Sequence, residues 1–385
     1  MRWRLPLSTM RRSEFSIGEK IQQLNIGLLL LIATVGAVGV AWLYSAAGGN
    51  MEPWSMRHAI RLAVGFVFLI VVAMVEFRVW LKYAYAIYGV TLLLLLYVEV
   101  AGEIGMGAQR WIDLKFIQLQ PSEMMKIALV LALARYFHRL SIEDVRSPFT
   151  LVVPAAMAIV PAGLVLMQPD LGTATILMML GAGIFFVAGV RIWKFALITI
   201  AGLSALPVAW SFLRDYQKDR IMIFLNPSND PLGAGYHITQ SKIAFGNGGL
   251  GGKGFLEGTQ AQLNFLPEHH TDFIFTMIAE EMGLFGTLAV LLLYTLILVY
   301  GYAIAYSSKN HFGRLIAIGM TLNLFLYVFI NMAMVMGLIP VVGVPLPMIS
   351  YGGTAMITVM VGFGLLMSVY INRDLKIAQR GFGEE

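Results

Sequence analysis

Residues 24–47 read LNIGLLLLIATVGAVGVAWLYSAA, 24 residues without one charged side chain. At about 1.5 Å of rise per residue, a helix of this length crosses the roughly 30 Å hydrocarbon core of a bilayer. A basic segment with Arg2, Arg4, Arg11, Arg12 and Lys20 precedes it, and Ser45-Ala46-Ala47 supplies small residues, so it has the outline of a secretory signal. The apolar part of a signal is only about 7–15 residues long, however, and the stretch reads as a retained first membrane helix. Further apolar runs follow at 59–75, 79–100, 121–138, 148–167, 171–190, 192–213, 272–305, 314–337 and 351–371. The expected fold is an all-α integral membrane protein with about ten transmembrane helices. It forms a single polytopic domain over residues 1–385, with one long extracytoplasmic loop, 214–271, between helices 7 and 8.

Composition agrees: the chain is 58% hydrophobic and 13% charged, whereas a soluble domain is about 25% charged. The net charge of +5 comes from Lys and Arg clustered between the apolar runs. That is the distribution membrane topology imposes, and it lacks the basic stripe with interleaved aromatics that nucleic-acid binding needs. With no cysteine in the chain, disulfides, thiolate metal sites and a cysteine nucleophile are excluded. Ten crossings place both termini on one side. Lys and Arg are more numerous on that side, which predicts cytoplasmic termini and an outward-facing 214–271 loop.

That loop is far longer than the usual connection of about 4–6 residues, so it is either functional or disordered. Phe224, Leu225, Tyr236, Ile238, Ile243, Phe245, Leu263 and Phe265 give it apolar anchors that disordered segments lack. Gly246-Asn-Gly248-Gly-Leu-Gly251 matches the dinucleotide fingerprint by letter, but it lacks the strand before and helix after that the motif requires. A P-loop fails as well. These glycines are expected to supply tight turns of positive φ. No Gly-x-Ser-x-Gly elbow supports a serine triad.

Two clusters stand out as able to carry chemistry. Glu268-His269-His270-Thr271-Asp272 packs ionisable groups where the loop re-enters the membrane; capping of the next helix by Asp272 is the structural alternative. Pro121-Ser122-Glu123-Met-Met-Lys126 opens a helix with an acid and a base three residues apart on one face. At membrane depth each such charge costs roughly 2.5 kcal/mol or more unless paired or hydrated. Gln168-Pro-Asp170, Arg61 and Glu280-Glu281 raise the same question.

Taken in order along the chain, several of these segments resemble the SEDS family (shape, elongation, division and sporulation), which includes RodA and FtsW. The resemblance rests on Gly107-Ala-Gln-Arg110-Trp111-Ile, Gln120-Pro-Ser-Glu123-x-x-Lys126, Gln168-Pro-Asp170-Leu-Gly-Thr-Ala and Arg220-Ile-Met-Ile-Phe-Leu-Asn-Pro. It continues through Asp230-Pro-Leu-Gly-Ala-Gly-Tyr236, Gln240-Ser, Leu266-Pro-Glu268-x-His270-Thr-Asp272-Phe-Ile-Phe and Pro347-x-x-Ser350-Tyr351-Gly-Gly. The Gly-Thr-Gln-x-Gln-Leu run before Asn264 and the short tails look more like RodA than FtsW.

The resemblance implies a peptidoglycan glycosyltransferase of the bacterial cytoplasmic (inner) membrane that polymerises lipid II during cell elongation and rod-shape maintenance. The donor is linked to undecaprenyl pyrophosphate, and the anomeric carbon is inverted. It implies Asp272 as general base or as ligand of a divalent metal ion, the one candidate cofactor. Arg110, Lys126 and Arg220 are the expected pyrophosphate ligands, since Arg and Lys bind phosphate oxygens. Glu123 would orient Lys126 and Asp170 would line the same cavity. His270 and Glu268 would support Asp272, and Trp111, Ser350 and Tyr351 complete the substrate-binding set. The implied partners are lipid II, the nascent glycan strand, membrane lipid and a class B penicillin-binding protein acting as transpeptidase. A flippase of the lipid-linked precursor, an FtsW-type division polymerase and a non-enzymatic scaffold are the alternatives.

Overall fold

The computed structural model describes residues 16–105, 108–113, 118–212, 215–227, 230, 233–259, 265 and 269–377. A short helix α1 (Ile17–Gln22) leads into α2 (Ile26–Ala46), α3 (Ser55–Met74) and α4 (Phe77–Ala101). Three short antiparallel strands follow, β1 (Glu103–Gly105), β2 (Ala108–Asp113) and β3 (Gln118–Leu119), ordered β1-β2-β3. Next come α5 (Pro121–His138), the short α6 (Ile142–Arg146), α7 (Val152–Met167), α8 (Leu171–Val187) and α9 (Ile192–Phe212). Helices α10 (Asp215–Leu225) and α11 (Ala234–Gly248) precede α12 (Ile274–Ser307), α13 (His311–Val335) and α14 (Gly353–Ile371).

Ten of these helices coincide with the ten apolar runs read from the sequence. Seven are long and apolar enough to cross a membrane by themselves, and Leu171–Val187 and Ile192–Ala205 are shorter apolar helices. The tenth, α5, carries Glu123, Lys126 and Arg135 and is almost entirely buried. Some helix N-termini are closed by side chains that satisfy otherwise orphaned N–H groups. Asn25 accepts from the Leu28 N–H at 3.0 Å, and Asp170 accepts from that of Thr173 at 3.1 Å. Helices α5, α13 and α14 form the interior, whereas α9 presents Ile192, Leu197, Ile198, Ile200 and Leu203 outward, as a lipid-facing helix does.

The connections sort into two ends. At one, the Lys20 ammonium donates to the Met74 carbonyl (2.8 Å) and that of Lys194 to the Arg146 carbonyl (2.8 Å). The Lys309 N–H there donates to the Arg373 carbonyl (2.8 Å), and the Asn25 N–H reaches Met367 Sδ (3.3 Å), so both ends of the described chain lie together. The strands, the turn at 168–170, residues 269–273 and the segment 338–352 lie at the other.

At this second end the structure departs from the sequence reading in two ways. The strands are invisible in the sequence, because β1 and β3 span three residues and two, too few to display a period-two pattern. The 214–271 segment, read as one long loop, contains the helices α10 and α11. Its glycines dock on α12, which is broken at Gly283 (φ 61°, ψ −154°). A break frees backbone groups that must be satisfied again in a membrane. Lys253 N–H donates to the Glu280 carbonyl (3.0 Å) and Gly254 N–H to that of Glu281 (2.9 Å). Leu284 N–H donates to Gly249 (3.0 Å) and Phe285 N–H to Leu250 (3.2 Å). Gly246 and Gly248 lie inside α11, and of the glycines in the 246–251 stretch only Gly249 has the expected positive φ, joined by Gly252 and Gly254 just beyond it. A helix, α11, rather than a strand precedes them, which removes the dinucleotide reading.

Candidate active site

A cavity of about 610 Å³ opens at the second end of the bundle. Its walls include Arg110, Trp111, Glu123, Lys126, Asp170, Asp272, Tyr327 and Tyr351, with 341–345 and 352–355. Chain segments far apart in sequence thus bring two cations and three carboxylates into one apolar-walled space.

The first group is built around the Asp170 N-cap. Its carboxylate accepts from the Thr173 N–H (3.1 Å) and hydroxyl (3.0 Å) and from the Gln120 amide (3.4 Å). Arg110, projecting from β2, lies 3.8 Å from Asp170 Oδ2 and donates through Nε to the Gln168 carbonyl (3.1 Å). A second donation reaches the Pro169 carbonyl. The strand thus delivers a guanidinium that is braced at the C-terminus of α7 yet has 23% of its side chain exposed, enough to reach a ligand.

The second group lies on α5 and α13. Lys126 Nζ donates to Glu123 Oε1 at 2.5 Å, the contact that three-residue spacing on a helix predicts. The Tyr327 hydroxyl completes a ring, accepting from Lys126 and donating to Glu123 Oε2. All three residues are buried, with Lys126 1% exposed, so each charge needs these partners.

Asp272 sits where the chain enters α12, at a cavity wall shared with Gly343. The N-cap position belongs to Phe273, one residue later, and that helix start has no side-chain cap from it. Asn331 on α13 donates to the Asp272 carbonyl (2.9 Å) and to that of Val344 (2.7 Å), joining three cavity walls.

The remaining expected residues divide. Trp111 and Tyr351 line the cavity, and the Arg61 guanidinium lies over the Tyr351 ring at 4.5 Å. Ser350 is not among the described lining residues; its hydroxyl accepts from the Leu346 N–H (2.8 Å) and donates to the Thr271 carbonyl (2.6 Å), which fixes one wall to another. His270 is likewise outside the described lining, its ring stacked on Trp54 at 4.3 Å. The side chain of Arg220 and the whole of Glu268 fall outside the described residues. Tyr327 is a site residue that the sequence reading lacks. A tyrosine inside an apolar helix carries no local signal, and its partners are 201 and 204 positions away.

For a divalent ion the donor set is poor. Among the described residues no three His, Asp or Glu side chains assemble as a metal site. The described residues therefore do not assemble a closed, all-protein metal site.

Residues 22–375 match the FtsW/RodA/SpoVE family model, described as cell cycle protein. The peptidoglycan glycosyltransferase MrdB of Escherichia coli (strain K12) is 45% identical over 355 residues, covering 90% of this chain and 93% of that protein. MrdB of Helicobacter pylori (strain ATCC 700392 / 26695) is 38% identical over 81% of this chain and 82% of its own length. The probable peptidoglycan glycosyltransferase FtsW of Coxiella burnetii is 36% identical over 82% and 85%. Among solved structures, a chain of a peptidoglycan synthase complex that coordinates polymerization and crosslinking superposes with a TM-score of 0.78 at 32% identity. The match covers 91% of this chain and 98% of that one. Thermus thermophilus rod shape determining protein RodA gives 0.70 at 29% identity, covering 92% and 98%.

Proposed function

Because this chain belongs to the FtsW/RodA/SpoVE family of cell cycle proteins, we propose that it is a peptidoglycan glycosyltransferase of the bacterial inner membrane that polymerises lipid II during cell elongation. The observation that carries the reading is the gathering of Arg110, Glu123, Lys126, Asp170 and Asp272 around one cavity at one end of the bundle. A flippase needs polar groups along a path to both faces, whereas a polymerase needs them at one leaflet. The higher identity to MrdB than to FtsW favours elongation over division.

In the proposed reaction the 4-hydroxyl oxygen of the acceptor sugar attacks the anomeric carbon of the donor, the bond from that carbon to the pyrophosphate oxygen breaks, and the configuration inverts. The hydroxyl proton passes to the Asp272 carboxylate, because an alcohol is too weak an acid to lose it unaided near pH 7. Negative charge grows on the departing undecaprenyl pyrophosphate. Lys126 and Arg110 are placed to stabilise it, with Arg220 a third candidate. Glu123 orients Lys126, Asp170 orients Arg110, and Trp111 and Tyr351 contact sugar or lipid. Ser350 and His270 act by holding cavity walls in place. The chain is one polytopic unit with both termini cytoplasmic and the cavity outward, and the transpeptidase partner is a class B penicillin-binding protein. Its support is the likeness to a chain of a synthase complex.

The decisive experiment is polymerisation of labelled lipid II by the purified chain, with and without the partner. Glycan strands longer than the dimer are expected. Translocation across a vesicle without polymer would replace this reading with the flippase.

A further inference from the structure

We infer that Tyr327 is a positioning residue that holds the Lys126 ammonium toward an anionic ligand in the cavity, rather than a packing residue of α13. The inference rests on the proposed role of Lys126 as a pyrophosphate ligand. It starts from a count of hydrogens. An ammonium has three N–H groups; one goes to Glu123 Oε1 and one to the Tyr327 hydroxyl, which leaves one for a ligand in the cavity that Lys126 lines.

The carboxylate explains why the hydroxyl is needed. A lone ammonium facing a buried carboxylate gains most by lying between both oxygens, where it is drawn into the pair and away from any other anion. Tyr327 prevents this, because its hydroxyl hydrogen occupies Glu123 Oε2 and confines Lys126 to Oε1. The same hydroxyl oxygen then accepts from Lys126, fixing the ammonium from a second direction. The ring of three is 1–4% exposed, so water does not readily replace the hydroxyl.

The test is a double-mutant cycle on the full-length chain in detergent, read as binding of fluorescent lipid II. Binding needs no proton transfer, so it is independent of the role given to Asp272. Tyr327→Phe is expected to weaken binding roughly 10- to 100-fold, the range for losing one hydrogen bond to a charged group. Lys126→Gln is expected to weaken it at least as much, and adding Tyr327→Phe to Lys126→Gln should change it by less than about twofold. 4-Aminophenylalanine at 327, which keeps a polar hydrogen and a lone pair at the para position, should recover most of the affinity. Should Tyr327→Phe not fold, 4-fluorophenylalanine, nearer to tyrosine in shape and without a donor, takes its place in the cycle.

A purely structural tyrosine would lower thermal stability while the two substitutions multiplied in their effect on binding, and that result overturns the inference. Wild-type affinity in Tyr327→Phe beside weak binding in Lys126→Gln also overturns it, while leaving Lys126 as a phosphate ligand. Wild-type affinity in Lys126→Gln overturns both the inference and the assignment beneath it.

Discussion

At Asp272 two chemistries compete for one carboxylate, and they separate on substitution by asparagine. An amide of nearly the same shape caps a helix about as well as an aspartate does, but it cannot accept a proton at neutral pH. Asparagine at 272 keeps the shape and one acceptor oxygen of the side chain, so the helix that follows, with Phe273 at its N-cap position, should tolerate the loss of charge. Asp272→Asn is therefore expected to keep expression, detergent stability and lipid II binding while polymerisation falls about 10²- to 10⁴-fold, the usual contribution of a positioned base. The measurement is strand synthesis beside a thermal unfolding curve. Full activity in the folded variant would remove Asp272 from the chemistry.

Among the elements, the break in α12 matters to the site because Asp272 precedes the short buried segment that the break creates. Gly252 donates from its N–H to the Gly248 carbonyl (2.8 Å) and has φ +78°, and a Cβ added there would meet the Glu281 backbone carbonyl. Gly251, one residue earlier, has open space for a Cβ. Left-handed strain together with overpacking gives an expected loss of about 2 kcal/mol or more for Gly252→Val. Gly251→Ala should stay within about 0.5 kcal/mol. Unfolding in detergent checks both, and equal losses at the two positions would mean that the docked turn does not support the break. This element also marks where sequence reading ends. A 34-residue apolar helix looks continuous by composition, and only the turn docked against it, with Gly249, Gly252 and Gly254 at positive φ, reveals which carbonyls have been released. The ten membrane runs are legible because bilayer thickness dictates their length. The Glu123–Lys126 pair is legible because both partners share one helix face. Tyr327 and the hold of Ser350 on Thr271 are not, since each joins segments that only tertiary packing brings together.

For the whole molecule, orientation decides whether the cavity can meet its substrate. Lys20, Lys194 and Lys309 make their contacts at the end of the bundle that holds both ends of the described chain, and the cavity lies at the other. Basic residues are retained on the cytoplasmic side, which is the ground for expecting the cavity to face outward, where glycan strands are built. The absence of any cysteine in the chain allows a test without background. Asn247, exposed at the end of α11, is expected to be labelled as Asn247→Cys by a membrane-impermeant maleimide added to intact spheroplasts. Lys309→Cys, between α12 and α13 with its side chain 56% exposed, should react only after permeabilisation. The reverse pattern would place the cavity on the cytoplasmic face and remove Asp272, Lys126 and Arg110 from the compartment in which strands grow. Labelling of both sites in intact cells would mean that the number of crossings between α11 and the 308–310 turn is even, so α12 would not span the bilayer.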